Sequence, residues 1–82
     1  MAFSREDTLG KVKSVIIEKL EIKEDTITPD ATLKDLGADS LDIADMIMQF
    51  EGIFGVEVKD EDAERIKTIE EAVDYLHAAR TK

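Results

Sequence analysis

The chain has no cysteine, one histidine and one proline among its 82 residues. Without cysteine there is no disulfide framework, no thiolate nucleophile and no cysteine-bearing metal site. His77 alone does not make a transition-metal centre, and its place in the last helical segment reads as an exposed polar residue. No apolar run approaches membrane-spanning length. Met1-Ala2-Phe3-Ser4 leads straight into a charged helical segment, so no signal or transit peptide is expected in this form. A soluble, cytoplasmic protein is the expectation; a targeting segment already removed would leave no trace.

Constellations for catalysis are also missing. There is no Walker loop and no dinucleotide fingerprint. The carboxylates lack EF-hand spacing, and no metal site is read from them. Ser40 and His77 fall on different helical segments with no orienting motif between them, so no nucleophile–base pair is evident. Basic residues are scarce in one place only. Residues 1–34 carry six basic and seven acidic side chains, and residues 65–82 carry four and three. Residues 35–64 carry ten acids against Lys59 alone, so this stretch holds the whole net charge of −9. Such a face repels nucleic acid and anionic membranes. Its natural complement is a basic protein surface, although a charge run can also be simply a solvated face.

What is present is helical periodicity. Ser4 caps a first helix, with Leu9, Val12, Ile16 and Leu20 on its core face. Lys11, Lys13, Glu18 and Lys19 mark its solvent side. Lys23 to Ala38 has no sustained period and reads as a long ordered loop. Thr28-Pro29-Asp30 marks a turn within it, and Ile27, Leu33 and Leu36 are anchors. The central helix runs from Ser40 to Phe54, with Gly55 as C-cap. Val56-Glu57-Val58 alternates like a strand but has no partner, so it reads as extended linker. Asp60 to Ile66 is a short acidic helix. Thr68 and Glu71 form a capping box for a last helix with Ile69, Ala72, Val73 and Leu76 inward; Ala78 to Lys82 should fray. The expected fold is all-α: a small four-helix bundle, three main helices and one short, making one domain over residues 1–82.

The central helix carries two apolar faces. Wound at about 100° per residue, Ile43, Met46, Ile47, Phe50, Ile53 and Phe54 form one stripe, the core face. Leu41, Ala44 and Met48 lie on the opposite side, ringed by Asp42, Asp45 and Glu51. This spot fits a docking surface, while scattered surface apolar residues are also ordinary. At the helix start, Asp39 is a good N-cap and Asp42 a weaker form of the capping-box acid. Ser40 then falls in the first turn with its hydroxyl free to face solvent.

Gly37-Ala38-Asp39-Ser40-Leu41-Asp42 resembles the phosphopantetheine attachment motif of acyl carrier proteins. The likeness extends in order through Val12 to Leu20, Ile27 to Leu36, Asp60 to Ile66 and Thr68 to Leu76. It implies a free-standing, monomeric carrier of fatty-acid biosynthesis. Ser40 would receive 4′-phosphopantetheine from coenzyme A through a separate phosphopantetheinyl transferase using Mg²⁺. By the same resemblance Asp39, Asp42, Asp45, Glu51, Asp60 and Glu64 would dock on basic patches of fatty-acid synthase enzymes. Leu41, Ala44 and Met48 would supply apolar contacts. The acyl chain would slip between helices against Ile47, Phe50, Val58, Ala63 and Ile66. Gly52, Ile53 and Gly55 depart from the family pattern and make the helix end less acidic, and Ala44 is smaller than the valine usual there. Carriers of polyketide, peptidyl, aminoacyl or specialised lipid pathways share the chemistry. An unmodified acidic interaction module and a Ser40-dependent esterase are the readings from other classes.

Overall fold

The computed structural model describes residues 4–80, which form four α-helices. They are α1 (Arg5–Leu20), α2 (Ser40–Phe54), α3 (Asp60–Arg65) and α4 (Ile69–Arg80), and the described residues form no strand. The reading of Met1 to Phe3 lies outside the described residues. Ser4 caps α1 by accepting the Asp7 N–H at 3.0 Å, which satisfies one of the orphan donors of the first turn. Val12, Val15 and Ile16 of α1, Met46 and Phe50 of α2, and Ile69, Val73 and Leu76 of α4 close into one core. Leu9 and Leu20 sit at its margin, half-buried.

The loop between α1 and α2 is ordered by its own anchors. Ile27 and Leu33 are buried and Leu36 partly so. A 3-10 turn over Glu24–Thr26, which the sequence pattern does not show, opens it. The loop is then pinned to the junction of α3 and α4. Leu33 N–H donates to the Lys67 carbonyl, Ile69 N–H to the Ala31 carbonyl and Glu70 N–H to the Pro29 carbonyl, each at 3.0 Å. A lone antiparallel bridge pairs Thr32 with Thr68. The loop thus accepts N–H groups that the first turn of α4 cannot satisfy internally. The expected capping box adds to this: Glu71 N–H donates to the Thr68 hydroxyl, and Thr68 N–H donates to the Glu71 carboxylate. Residues 56–59 form the extended linker.

Three expectations are corrected. Ile53 is 47% exposed and does not join the core. It lies at the edge of the apolar stripe, on a shallow groove that Gly10, Ser14 and Val15 of α1 also line. His77 is not an exposed bystander: it is half-buried, with Nδ1 3.0 Å from the hydroxyl of the fully buried Thr8. The end of α4 does not fray before Arg80. The Arg80 side chain is only 6% exposed and donates to Asp7 at 2.9 Å and to Thr8 Oγ1 at 3.2 Å. Its guanidinium also lies 4.8 Å from the centroid of the Phe54 ring, a favourable cation–π arrangement. Only in the folded chain do Asp7 and Thr8 meet a helix end some 70 residues away. Thr81 and Lys82 lie outside the described residues.

Hydrogen bonds from Lys11, then Arg80, hold the Asp7 carboxyl below its ordinary value of 3.8. A carboxyl depressed on folding contributes stability that is present above its unfolded value and is lost as pH falls through the folded one. Asp7→Asn should therefore lower Tm at neutral pH and show a shallower further loss below about pH 4 than the parent, read from melts across that range.

Candidate functional site

The site begins with a turn. Gly37 takes φ 100°, a conformation that favours glycine, and Ala38 N–H donates to the Leu33 carbonyl at 3.0 Å. This delivers Asp39 to the N-cap of α2. Asp42 N–H donates to Asp39 Oδ1 at 2.8 Å, and Asp39 N–H donates back to Asp42 Oδ2 at 3.4 Å. The expected capping box is thus complete. Ser40 is the first residue of α2, exposed, and its hydroxyl takes no part in that cap.

Ser40 also contributes to the wall of an open groove of about 480 Å³. Ser40, Ile43, Ala44 and Ile47 form one wall, at the i, i+3, i+4, i+7 spacing of a single helix face. Thr32, Leu33 and Lys34 of the pinned loop form the second, and Ala63, Glu64, Ile66 and Lys67 form the third. Ile47, Ala63 and Ile66 therefore lie where the sequence reading has a chain-binding groove. Phe50 and Val58 do not line it; they are 3% and 8% exposed, within the core. Phe50 shares the face of Ile43 but lies two turns further along α2, where its side chain is buried in the core. Ile43, Ala44 and the three loop residues were not among the expected groove residues. Ile43 had a signal in the core stripe; the loop residues had none, because their approach depends on the pinning to α4.

On the outer side of α2, Leu41 is 70% and Met48 67% exposed, and the exposed Ala44 stands at the edge between this side and the groove. The acids around them are all engaged. Asp39 and Asp42 hold the cap, Asp45 pairs with Lys19 of α1 at 3.0 Å, and Glu51 Oε2 accepts the Val58 N–H at 2.9 Å. The hydrogen bond to Asp45, and then the charges of Asp45, Asp42 and Asp39, hold the Lys19 ammonium protonated above its ordinary value. Asp60 and Glu64 stand exposed on α3. Nothing in the sequence pattern links Lys19 to Asp45 or Glu51 to Val58. No group of His, Cys, Asp and Glu among the described residues is placed to hold a metal ion.

An exposed serine that takes no part in the cap thus stands at the head of an acidic helix, beside an apolar groove. The family described as "Phosphopantetheine attachment site" matches residues 10–76. The acyl carrier protein of Thermotoga maritima is 51% identical over 74 residues, covering 89% of this chain and 91% of that protein. The acyl carrier protein of Rubrobacter xylanophilus is 47% identical over 73 residues, covering 88% and 90%. The solved structure of an acyl carrier protein from Enterococcus faecalis superposes with a TM-score of 0.81 at 38% identity, covering 94% of this chain and 99% of that one. The chain belongs to the acyl carrier protein family, whose phosphopantetheine-bearing members carry acyl groups in fatty-acid biosynthesis.

Met48→Arg should change stability by no more than about 0.5 kcal/mol, as expected of an exposed side chain. Asp39→Ala should cost about 1 kcal/mol through loss of the cap. Chemical denaturation of the two variants beside the parent checks the contrast.

Proposed function

We propose that Ser40 is the attachment residue for 4′-phosphopantetheine, and that the chain works as a carrier without catalytic activity of its own. One observation carries this: Asp39 does the capping that a helix-start serine ordinarily does, which leaves an exposed hydroxyl at the mouth of an apolar groove. The residues present fit the group. The N-terminus of α2 faces outward at Ser40, where the first-turn N–H groups and the dipole favour a phosphodiester and the like charges of Asp39 and Asp42 partly oppose that gain. The group supplies a thiol on which acyl chains are carried as thioesters. Ile43, Ile47, Ala63 and Ile66 offer the chain an apolar wall, and burial there stabilises it by about 0.8 kcal/mol per CH₂ removed from water. His77 packs on α1 through Nδ1 and the Thr8 hydroxyl, and it is not among the residues that line the groove at Ser40.

Partner enzymes would dock on the outer face of α2 and on α3. Leu41 and Met48 form the apolar centre, with Asp39, Asp42, Asp45, Glu51, Asp60 and Glu64 around it. Fatty-acid synthase enzymes and a phosphopantetheinyl transferase with basic patches fit this face, and their association should weaken with salt.

The test is intact mass before and after incubation with coenzyme A, Mg²⁺ and a broad-specificity phosphopantetheinyl transferase. The expected outcome is a single phosphopantetheine-sized gain in the parent and none in Ser40→Ala, with both helical by circular dichroism. A gain that persists in Ser40→Ala would move the site elsewhere. No gain in folded apo parent would favour an acidic interaction module instead.

A further inference from the structure

Three charged residues line the groove beside Ser40: Lys34, Glu64 and Lys67. The two lysines come from opposite ends of the acidic stretch. Residues 35–64 carry ten acids against Lys59 alone, with Lys34 immediately before them and Lys67 just past them. The hydrogen bond from the Leu33 N–H to the Lys67 carbonyl, at 3.0 Å, and the bridge between Thr32 and Thr68 fold these two ends together. Both lysines are exposed, and neither forms an ion pair among the described residues. Glu71 lies near Lys67, but its carboxyl is held low first by the hydrogen bonds from Thr68, whose N–H it accepts, and only then by Lys67. Asp39 and Asp42 hold the α2 cap and do not line the groove. The groove side of Ser40 is thus the side that carries cations, and the cap side carries acids.

We propose that Lys34 and Lys67 form an anion seat on the groove walls facing Ser40, which takes the phosphodiester of an arm attached there and aims that arm over the groove. This rests on the reading of Ser40 as the attachment residue. Charge is the first argument. A phosphodiester carries one negative charge and is bonded directly to the serine oxygen. Asp39 and Asp42 repel it from the cap side and the lysines attract it to the groove side, so both effects act in one direction. Glu64 opposes them with a single carboxylate against the two cations. Chemistry is the second argument. A lysine is a compact charge on a flexible four-carbon stem, and it binds phosphate oxygens as a point charge. One lysine on each of two walls lets both turn toward the same group. The tether is the third argument. Exposed ion pairs are weak and are screened by salt. Covalent attachment removes the cost of bringing the partners together, so weak pairs suffice to bias a group already held at Ser40. The seat acts at the root of the arm, and so it acts before any acyl chain is present.

The experiment is phosphorus NMR on the whole chain loaded with phosphopantetheine and no acyl group, with loading confirmed by intact mass. In the parent the phosphodiester line should be broad at about 0.01 M salt, where charges act over about 30 Å, and narrow at about 1 M, where they act over about 3 Å. The double variant Lys34→Gln, Lys67→Gln should give the narrow line at both salt levels, and each single variant a line between the two. Lys59→Gln removes the same charge from outside the groove and should leave the parent's line unchanged. The amides of Leu33 and Ile66 should shift on loading in the parent, and those shifts should be lost in the double variant. Unchanged amide positions at Val12 and Leu76 show that the fold survives. Equal phosphorus lines in the parent and the double variant overturn the seat and leave attachment at Ser40 standing. Equal effects of Lys59→Gln and the double variant also overturn it, because the cause is then the charge of the whole stretch. No mass gain in the folded parent overturns attachment and seat together.

Discussion

The main-chain hydrogen bonds between the α1–α2 loop and the start of α4 underlie the rest of the site. The loop is long for so small a fold, and its backbone groups need partners wherever they leave water. The first turn of α4 has N–H groups with no acceptor inside the helix. The carbonyls of Pro29 and Ala31 meet the N–H groups of Glu70 and Ile69, so each side satisfies the other. Leu33 is thereby held in the core, and its carbonyl receives the Ala38 N–H. That bond follows the turn at Gly37 and leads directly to the Asp39 cap. The position of Ser40 relative to the groove is therefore set by a chain of hydrogen bonds that starts at another helix.

The acidic stretch has a double character. Residues 35–64 carry a net −9, and repulsion within such a stretch opposes compaction. Each α2 acid offsets part of it through a local partner. Asp39 and Asp42 accept backbone N–H groups, Asp45 meets Lys19, and Glu51 meets the Val58 N–H. These carboxylates are at once surface charge and structural acceptor. Replacing one by alanine removes both properties together. Amide replacements, which keep an acceptor and remove the charge, separate docking from folding.

Much of the architecture was legible because the signals are local. Ser4 with Asp7, Asp39 with Asp42, and Thr68 with Glu71 are three residues apart, so each cap can be read without knowing the fold. The stripe of Ile69, Ala72, Val73 and Leu76 is likewise local, and all four are buried. What escaped reading lies far apart in the chain. Arg80 with Asp7, His77 with Thr8, and Lys19 with Asp45 are pairings that no periodicity announces. Ile53 escaped for a related reason, since its exposure depends on how α1 packs against the end of α2.

The sequence by itself determined the helices, their caps, the acidic middle and an exposed Ser40, because helix periodicity and capping act within one or two turns. Tertiary structure alone decided that Ser40 opens onto an apolar groove, that the loop forms one of its walls, and that Phe50 and Val58 stay in the core. It also decided that Glu51 holds the linker to α3. A groove is the space left between elements, and its walls come from segments whose approach depends on how all four helices pack.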